Sequence, residues 1–345
     1  MQRIASMKLS ASPHLHLRQV QVSTALRTSL CLLAVLLASC ATPATPAPIP
    51  TEPPTPVPTM TPTPPPFRII AYATDAVIES LIPYDQLTHI NYSFLTPKAD
   101  GTFNPINNAW KLQQIVATGH SKNVKVLISV GGWGWDEQFE TMAADPETRS
   151  AFVQNLKAFM DQFQLDGADI DWEYPDPGES SQNFLDLISE LRAAMPDKLL
   201  TAAVVAYGDE YGLGVPDETF ELFDFINVMT YAGKDHGTME QFEKGLDYWT
   251  GRGLAREKIV IGVPFYSEPG EVSFSKLTKD DPTSAQVDTF EYIGAVQNYN
   301  GIPTIQEKTR IAMEKTSGIM FWALDHDAQG EFSLVNAIYQ TVYTP

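Results

Sequence analysis

From Phe67 onward the chain alternates short β-rich runs with helix-length stretches, and does so eight times. The runs are Arg68–Ala73, His89–Phe94, Lys125–Val130, Gly167–Tyr174, Leu199–Ala206, Phe225–Tyr231, Ile259–Tyr266 and Gly318–Ala323. Strands spaced this way pair in parallel through βαβ units, because a parallel neighbour needs a long crossover. Two crossovers carry a clear helical stripe: Phe152, Val153, Leu156, Phe159, Met160 and Phe163 before the fourth run, and Phe184, Leu185, Leu187, Ile188 and Leu191 after it. Eight βα units within residues 67–345 match the size of a closed α/β barrel, the (β/α)8 or TIM fold. An open doubly wound sheet is the rival, but no G-x-G-x-x-G follows the first run.

The segment ahead of the barrel has a different character. Residues 1–28 are polar and basic, and residues 29–39 form an apolar run too short to span a bilayer, the layout of a secretory signal. Leu37-Ala38-Ser39-Cys40 resembles the bacterial lipoprotein signal, in which cleavage leaves the cysteine N-terminal and lipid-modified. Residues 41–66 hold 12 prolines among Thr and Ala, a composition that favours an extended polyproline stalk of roughly 80 Å. The expected organisation is a signal over 1–39, an anchor cysteine and linker over 40–66, and one catalytic domain over 67–345. Such a protein is extracytoplasmic and meets the membrane only through Cys40.

Charge and cysteine content narrow the partners. The four basic residues of 1–39 have no acidic counterpart, so the rest of the chain sets 19 Lys and Arg against 42 Asp and Glu, a net charge of −23. Such a surface repels phosphate backbones, which excludes nucleic acid as an expected partner. Both cysteines, Cys31 and Cys40, precede the barrel, so no disulfide or Cys-based metal site is expected in the domain.

The fourth run reads Asp166-Gly-Ala-Asp169-Ile-Asp171-Trp-Glu173-Tyr-Pro. Period-two alternation sends Asp169, Asp171 and Glu173 to one face and Ile170 and Trp172 to the other. Parallel barrel strands are normally apolar on both faces, so three carboxylates on one strand are a cost tolerated where function requires it. Glu173 falls at the C-terminal end, where barrel enzymes place catalytic groups. A raised pKa would keep it protonated near neutral pH, as a general acid needs. A solvated acidic face is opposed by the interleaved Ile, Trp and Tyr. A calcium loop would need glycine where Tyr174 stands. No phosphate-binding loop accompanies the carboxylates, so neither a metal nor a cofactor is expected.

This stretch resembles the D-x-x-D-x-D-x-E motif of glycoside hydrolase family 18, the chitinases and their relatives. Ser129-Val130-Gly131-Gly132 is similar to the family's S-x-G-G, Met229-Thr230-Tyr231 to its M-x-Y, and Gly318–Trp322 to its eighth-strand segment with a tryptophan floor. The resemblance implies a glycosidase acting on N-acetylglucosamine polymers or oligomers, with retention through the substrate's own acetamido group. It assigns Glu173 as acid and base, Asp171 as the group orienting the acetamido N–H, Asp169 as its tuner, and Tyr231 as donor to the acetamido oxygen. Trp322 would floor the cleavage site, with Tyr72, Phe94 and Met229 nearby and Trp133 and Trp135 extending the groove. Ser129, Gly131, Gly132 and Asp166 would support the site. His236 and His326 receive no role.

Two positions depart from that pattern. Ala232 stands where many chitinases have Asp, and Tyr266-Ser267-Glu268 replaces a common Tyr-Gly-Arg. The short interval between the seventh and eighth runs leaves no room for a large α+β insertion. An endo-β-N-acetylglucosaminidase, a peptidoglycan hydrolase or a non-catalytic lectin share the same strand pattern, although Glu173, the proton donor such lectins commonly lose, is present.

Overall fold

A computed structural model of the chain describes residues 66–344. The expected signal, Cys40 and nearly all of the Thr/Pro-rich stretch lie outside the described residues.

Eight parallel strands close into a barrel: β1 (Arg68–Thr74), β2 (His89–Leu95), β3 (Lys125–Gly131), β4 (Gly167–Asp171), β5 (Leu199–Val205), β6 (Phe225–Met229), β7 (Ile259–Pro264) and β8 (Gly318–Trp322). Closure pairs β1 with β8, Ala71 opposite Phe321. Every strand neighbours the next in sequence, as right-handed βα crossovers dictate.

The helices are α1 (Ala109–Ser121), α2 (Asp136–Ala144), α3 (Pro146–Phe163), α4 (Glu179–Ala194), α5 (Asp209–Gly212), α6 (Met239–Gly251), α7 (Phe274–Asp280), α8 (Ile302–Lys315) and α9 (Leu334–Tyr343). The anticipated stripe of α3 is buried at Phe152, Val153, Leu156, Met160 and Phe163. Its start is fixed by Pro146 in the first turn and by Asp145, whose side chain accepts from the N–H groups of Glu147 and Thr148. Phe184, Leu187, Ile188 and Leu191 bury the matching face of α4. Each fully buried side chain of this size contributes about 1.5–3 kcal/mol.

Eight complete βα units are not formed. Between β1 and β2 the chain makes only two 3-10 turns, Glu79–Leu81 and Tyr84–Gln86. Pro83, without an N–H, divides that short connection. After β5 the four-residue α5 is followed by a 3-10 turn at Asp217–Glu221, in a stretch interrupted by Gly212, Gly214 and Pro216. Between β7 and β8 there is no large insertion. Tyr266–Ser267 pairs antiparallel with Val272–Ser273, and Thr289–Tyr292 with Ala295–Asn298, flanking α7.

The main core lies between barrel and helices. A smaller one inside the barrel includes Ile70, Phe225, Val260 and Met320. Towards the C-terminal ends of the strands the interior turns polar, with Asn91, Ser129, Asp169, Thr201 and Asn227 all fully buried. That change from apolar to polar marks where the site begins.

Candidate active site

β4 ends its ladder at Asp171, three residues short of the run read from sequence. The last rung is the Gly132 N–H donating to the Asp171 carbonyl at 2.8 Å, so Glu173 stands just past the sheet, at the barrel mouth. The glycines at 131 and 132 make this approach possible. Both have positive φ, 111° and 89°, and a Cβ would strike the Asp171 carbonyl at the first and the Phe94 ring at the second. Trp172 points the other way, stacked on Phe139 with ring centroids 5.0 Å apart and donating Nε1–H to Asp136 at 2.7 Å.

Asp169 lies beneath the cleft with no exposure. Its Oδ2 accepts from Tyr72 Oη at 2.8 Å and Ser129 Oγ at 2.9 Å, and its Oδ1 from Thr201 Oγ1 at 2.6 Å and Asn227 Nδ2 at 3.0 Å. Burial raises its pKa while those four donors pull against the rise. Asp171, 3% exposed, is pushed well above the usual carboxylate range by burial, then by the charges of Glu173 and Asp169. Its Oδ1 has no protein partner. Burial also raises Glu173, with the Tyr174 hydroxyl pulling the other way. The two carboxyls titrate as a coupled pair.

These groups open on a cleft of about 460 Å³. Trp322 forms part of its wall, stacked on Phe94 at 5.4 Å and 19° and tilted against Tyr72 at 5.9 Å. Met229, Tyr231 and Trp133 also line the cleft, Trp133 being 78% exposed at the lip. Tyr231, like Tyr72, has its pKa driven upward chiefly by burial and keeps its hydroxyl proton.

Two expected site residues lie elsewhere. Trp135 packs against the main core at the start of α2 and does not line the cleft, because the Trp-Gly-Trp turn sends only its first ring to the mouth. Asp166 stands before β4, at the far end of the barrel. There it accepts from the Val126 N–H and Lys125 Nζ, both at 2.8 Å, with His120 Nε2 also at 2.8 Å, and so ties β3 to β4.

The cleft also gathers residues that sequence reasoning left out: Tyr174, Tyr266, Glu268 and Glu271. Tyr266 follows β7, and the rule that favours C-terminal strand ends would have found it. His236 is buried behind this wall. Its Nδ1 accepts the Ala232 N–H at 3.0 Å and its Nε2–H donates to the Tyr266 carbonyl at 3.1 Å. Burial lowers its pKa to about 4, so the ring is neutral. Gln241 donates to the carbonyls of Tyr231 and Ala232 at 3.3 and 2.9 Å, fixing the turn in which Ala232 has φ 66°.

Comparison with known proteins agrees with this architecture. The sequence model described as "Glycosyl hydrolases family 18" matches residues 68–327. A chitinase structure from Bacteroides thetaiotaomicron is 29% identical and superposes with a TM-score of 0.73 over 81% of this chain and 97% of that one. "Chitinase 1" of Aphanocladium album is 24% identical across 75% of this chain and 80% of its own length. An endochitinase of Manduca sexta is 31% identical over 54% of this chain, which spans only 40% of that relative. The chain is a glycosidase and belongs to glycosyl hydrolases family 18.

Proposed function

We propose that the chain hydrolyses β-1,4-linked N-acetylglucosamine polymers or oligomers, with the substrate's acetamido group as nucleophile. The observation that carries this reading is the Asp171–Glu173 pair. Two neighbouring carboxyls are both held above their usual pKa at a cleft floored by Trp322, and Asp171 Oδ1 lacks a donor. An acetamido N–H is such a donor. In its acid form Glu173 protonates the glycosidic oxygen as the acetamido oxygen bonds to the anomeric carbon and the glycosidic bond breaks. Asp171 stabilises the positive charge of the resulting oxazolinium, and Tyr231 donates to the acetamido oxygen. Water then attacks the anomeric carbon and gives its proton to Glu173 as the bond from that carbon to the acetamido oxygen breaks, which restores the acetamido group with net retention. Asp169, saturated by its four donors, holds a negative charge beneath Asp171.

The test is to incubate the full chain with N-acetylglucosamine oligomers, and with glucose oligomers as controls, and to weigh the products by mass spectrometry. Cleavage of the acetamido sugars alone, abolished in Glu173→Gln, supports the reading. Binding without cleavage points to a carbohydrate-binding protein instead, and cleavage of glucose oligomers overturns acetamido assistance.

We also propose export and lipid attachment at Cys40, supported by the apolar run and Leu37-Ala38-Ser39 before it. Incorporation of labelled fatty acid, lost in Cys40→Ser, is the expected result.

A further inference from the structure

Three buried polar side chains outside the catalytic pair, His236, Gln241 and Lys308, converge on the loop that follows Tyr231. At the start of that loop Ala232 is held at φ 66°, a left-handed conformation that a residue with a Cβ keeps only when its surroundings over-determine it. His236 supplies part of the constraint. Its Nδ1 accepts the Ala232 N–H at 3.0 Å and its Nε2–H donates to the Tyr266 carbonyl at 3.1 Å. A backbone N–H can only donate and a carbonyl only accept, so these partners fix one neutral tautomer. Gln241 grips the other side of the turn through the Tyr231 and Ala232 carbonyls, and its Oε1 takes the Gly237 N–H at 3.1 Å, which sets the direction of the amide. Gly237, next to His236, is pinned in turn: its carbonyl accepts from Asn300 Nδ2 and from Lys308 Nζ, each at 2.7 Å. The Gly233 N–H bonds the Glu268 carboxylate and ties the loop to the segment after β7.

The imidazole also meets the cleft wall through its face. Its centroid is 4.7 Å from that of Tyr266, and the Tyr266 ring stands edge-on to the Tyr231 ring at 6.3 Å and 79°. His236 therefore reaches Tyr231 by two routes, through the backbone at Ala232 and through the Tyr266 ring. The Tyr231 hydroxyl itself finds only the Met320 sulfur at 3.8 Å among the described residues, a weak acceptor, so its aim is set from behind and not at its tip. We propose that His236 is a positioning residue for the reaction, one that holds the Ala232 turn and the Tyr266 ring so that the Tyr231 hydroxyl points at the acetamido oxygen of the sugar being cleaved. His236 is not among the residues lining the cleft, so it acts through Tyr231 and touches no substrate.

This role rests on the acetamido-sugar reading above, and a double-mutant cycle in the full chain separates the two. His236→Asn keeps an acceptor at the place of Nδ1, whereas His236→Gln keeps a donor at the place of Nε2 and loses that acceptor; both lose the ring. On N-acetylglucosamine oligomers His236→Gln should lower kcat about tenfold with KM nearly unchanged, because the Tyr231 contact tightens as the acetamido oxygen attacks and a small misplacement is felt there. His236→Asn should keep about half of the wild-type kcat. In a Tyr231→Phe background, where no hydroxyl remains to be aimed, adding His236→Gln should lower kcat by less than about twofold further. A loss that repeats in full in that background marks a merely structural histidine and overturns the proposal, as do equal losses in the Asn and Gln variants or an unchanged kcat in His236→Gln. Thermal melting checks every variant. Should His236→Gln fail to fold, Gln241→Met, which frees the same turn from its other side, takes its place in the cycle with the same expected non-additivity. If the wild-type chain cleaves acetamido oligomers and the cycle is additive, only this role fails. If it cleaves none, or cleaves glucose oligomers as well, both fail.

Discussion

The Tyr72 hydroxyl donates to Asp169 Oδ2 at 2.8 Å, joining β1 to β4 across the interior of the barrel. Strand neighbours in the barrel run β1, β2, β3, β4, so this bond spans two intervening strands. With Ser129, Thr201 and Asn227 it turns a buried charge, which would otherwise destabilise the fold, into a tie between five strands. Removing one donor leaves the carboxylate under-satisfied. Tyr72→Phe should therefore cost about 1.5–3 kcal/mol of stability, read as a lower urea midpoint with an unchanged m-value. A midpoint equal to wild type would show that Tyr72 does not help to hold Asp169.

Glu173 lies past the end of its strand and receives no rung of the ladder. Glu173→Gln should lower kcat by about 10²–10⁴-fold while KM and melting temperature stay near wild type, because the amide keeps the shape and loses only the proton. Retained turnover would move the acid role to another carboxyl of the cleft.

Asp171 and Glu173 share a coupled titration in which burial and like charge raise the later ionisation. In Asp171→Asn, Glu173 ionises without a carboxylate beside it. The basic limb of the kcat profile should then move to lower pH, and kcat itself should fall because the oxazolinium loses its counter-charge. A basic limb at unchanged pH would mean that Glu173 is tuned by burial alone.

Trp322 and Trp135 should separate cleanly. Trp322→Ala removes the ring stacked on Phe94 in the cleft and should raise KM for oligosaccharides several-fold. Trp135→Ala cuts into the packing at α2 and should lower the melting temperature with KM unchanged. The reverse pattern would return Trp135 to the groove.

Lys308 is fully buried, donating to the Gly237 carbonyl at 2.7 Å and to Asn300 Oδ1 at 2.8 Å. Burial lowers its pKa from 10.5 to about 7. Between those values the unfolded chain binds more protons than the fold, so this group makes stability rise with pH from about 7 upward and contributes no slope below. Denaturant midpoints at pH 7 and 9 should show a smaller rise in Lys308→Met than in wild type. An identical rise in both would assign the pH dependence to other groups.

Much of this was legible in the chain. The period of two along Asp169-Ile-Asp-Trp-Glu173 sorts acids from apolar residues, and a strand must obey it because its backbone allows only two directions. The structure accordingly puts Asp169 and Asp171 inside the barrel and Trp172 on α2. The stripe of α3 is equally local, since 3.6 residues per turn bring Phe152, Leu156 and Phe163 to one side.

What the sequence by itself determined was therefore the barrel class, the apolar faces and the acidic strand, each encoded by spacing within a few residues. The tertiary structure alone decided that Asp166 sits at the opposite end of the barrel from Glu173, that only one tryptophan of the Trp-Gly-Trp turn reaches the cleft, and that Glu268 stands beside Ala232. It also decided that β1 reaches β2 without an α-helix and that His236 props the turn after Tyr231. The reason is physical. Spacing fixes the direction of a side chain relative to its own strand or helix, whereas the neighbours it meets depend on barrel closure and register, which arise from pairings between segments remote in the chain.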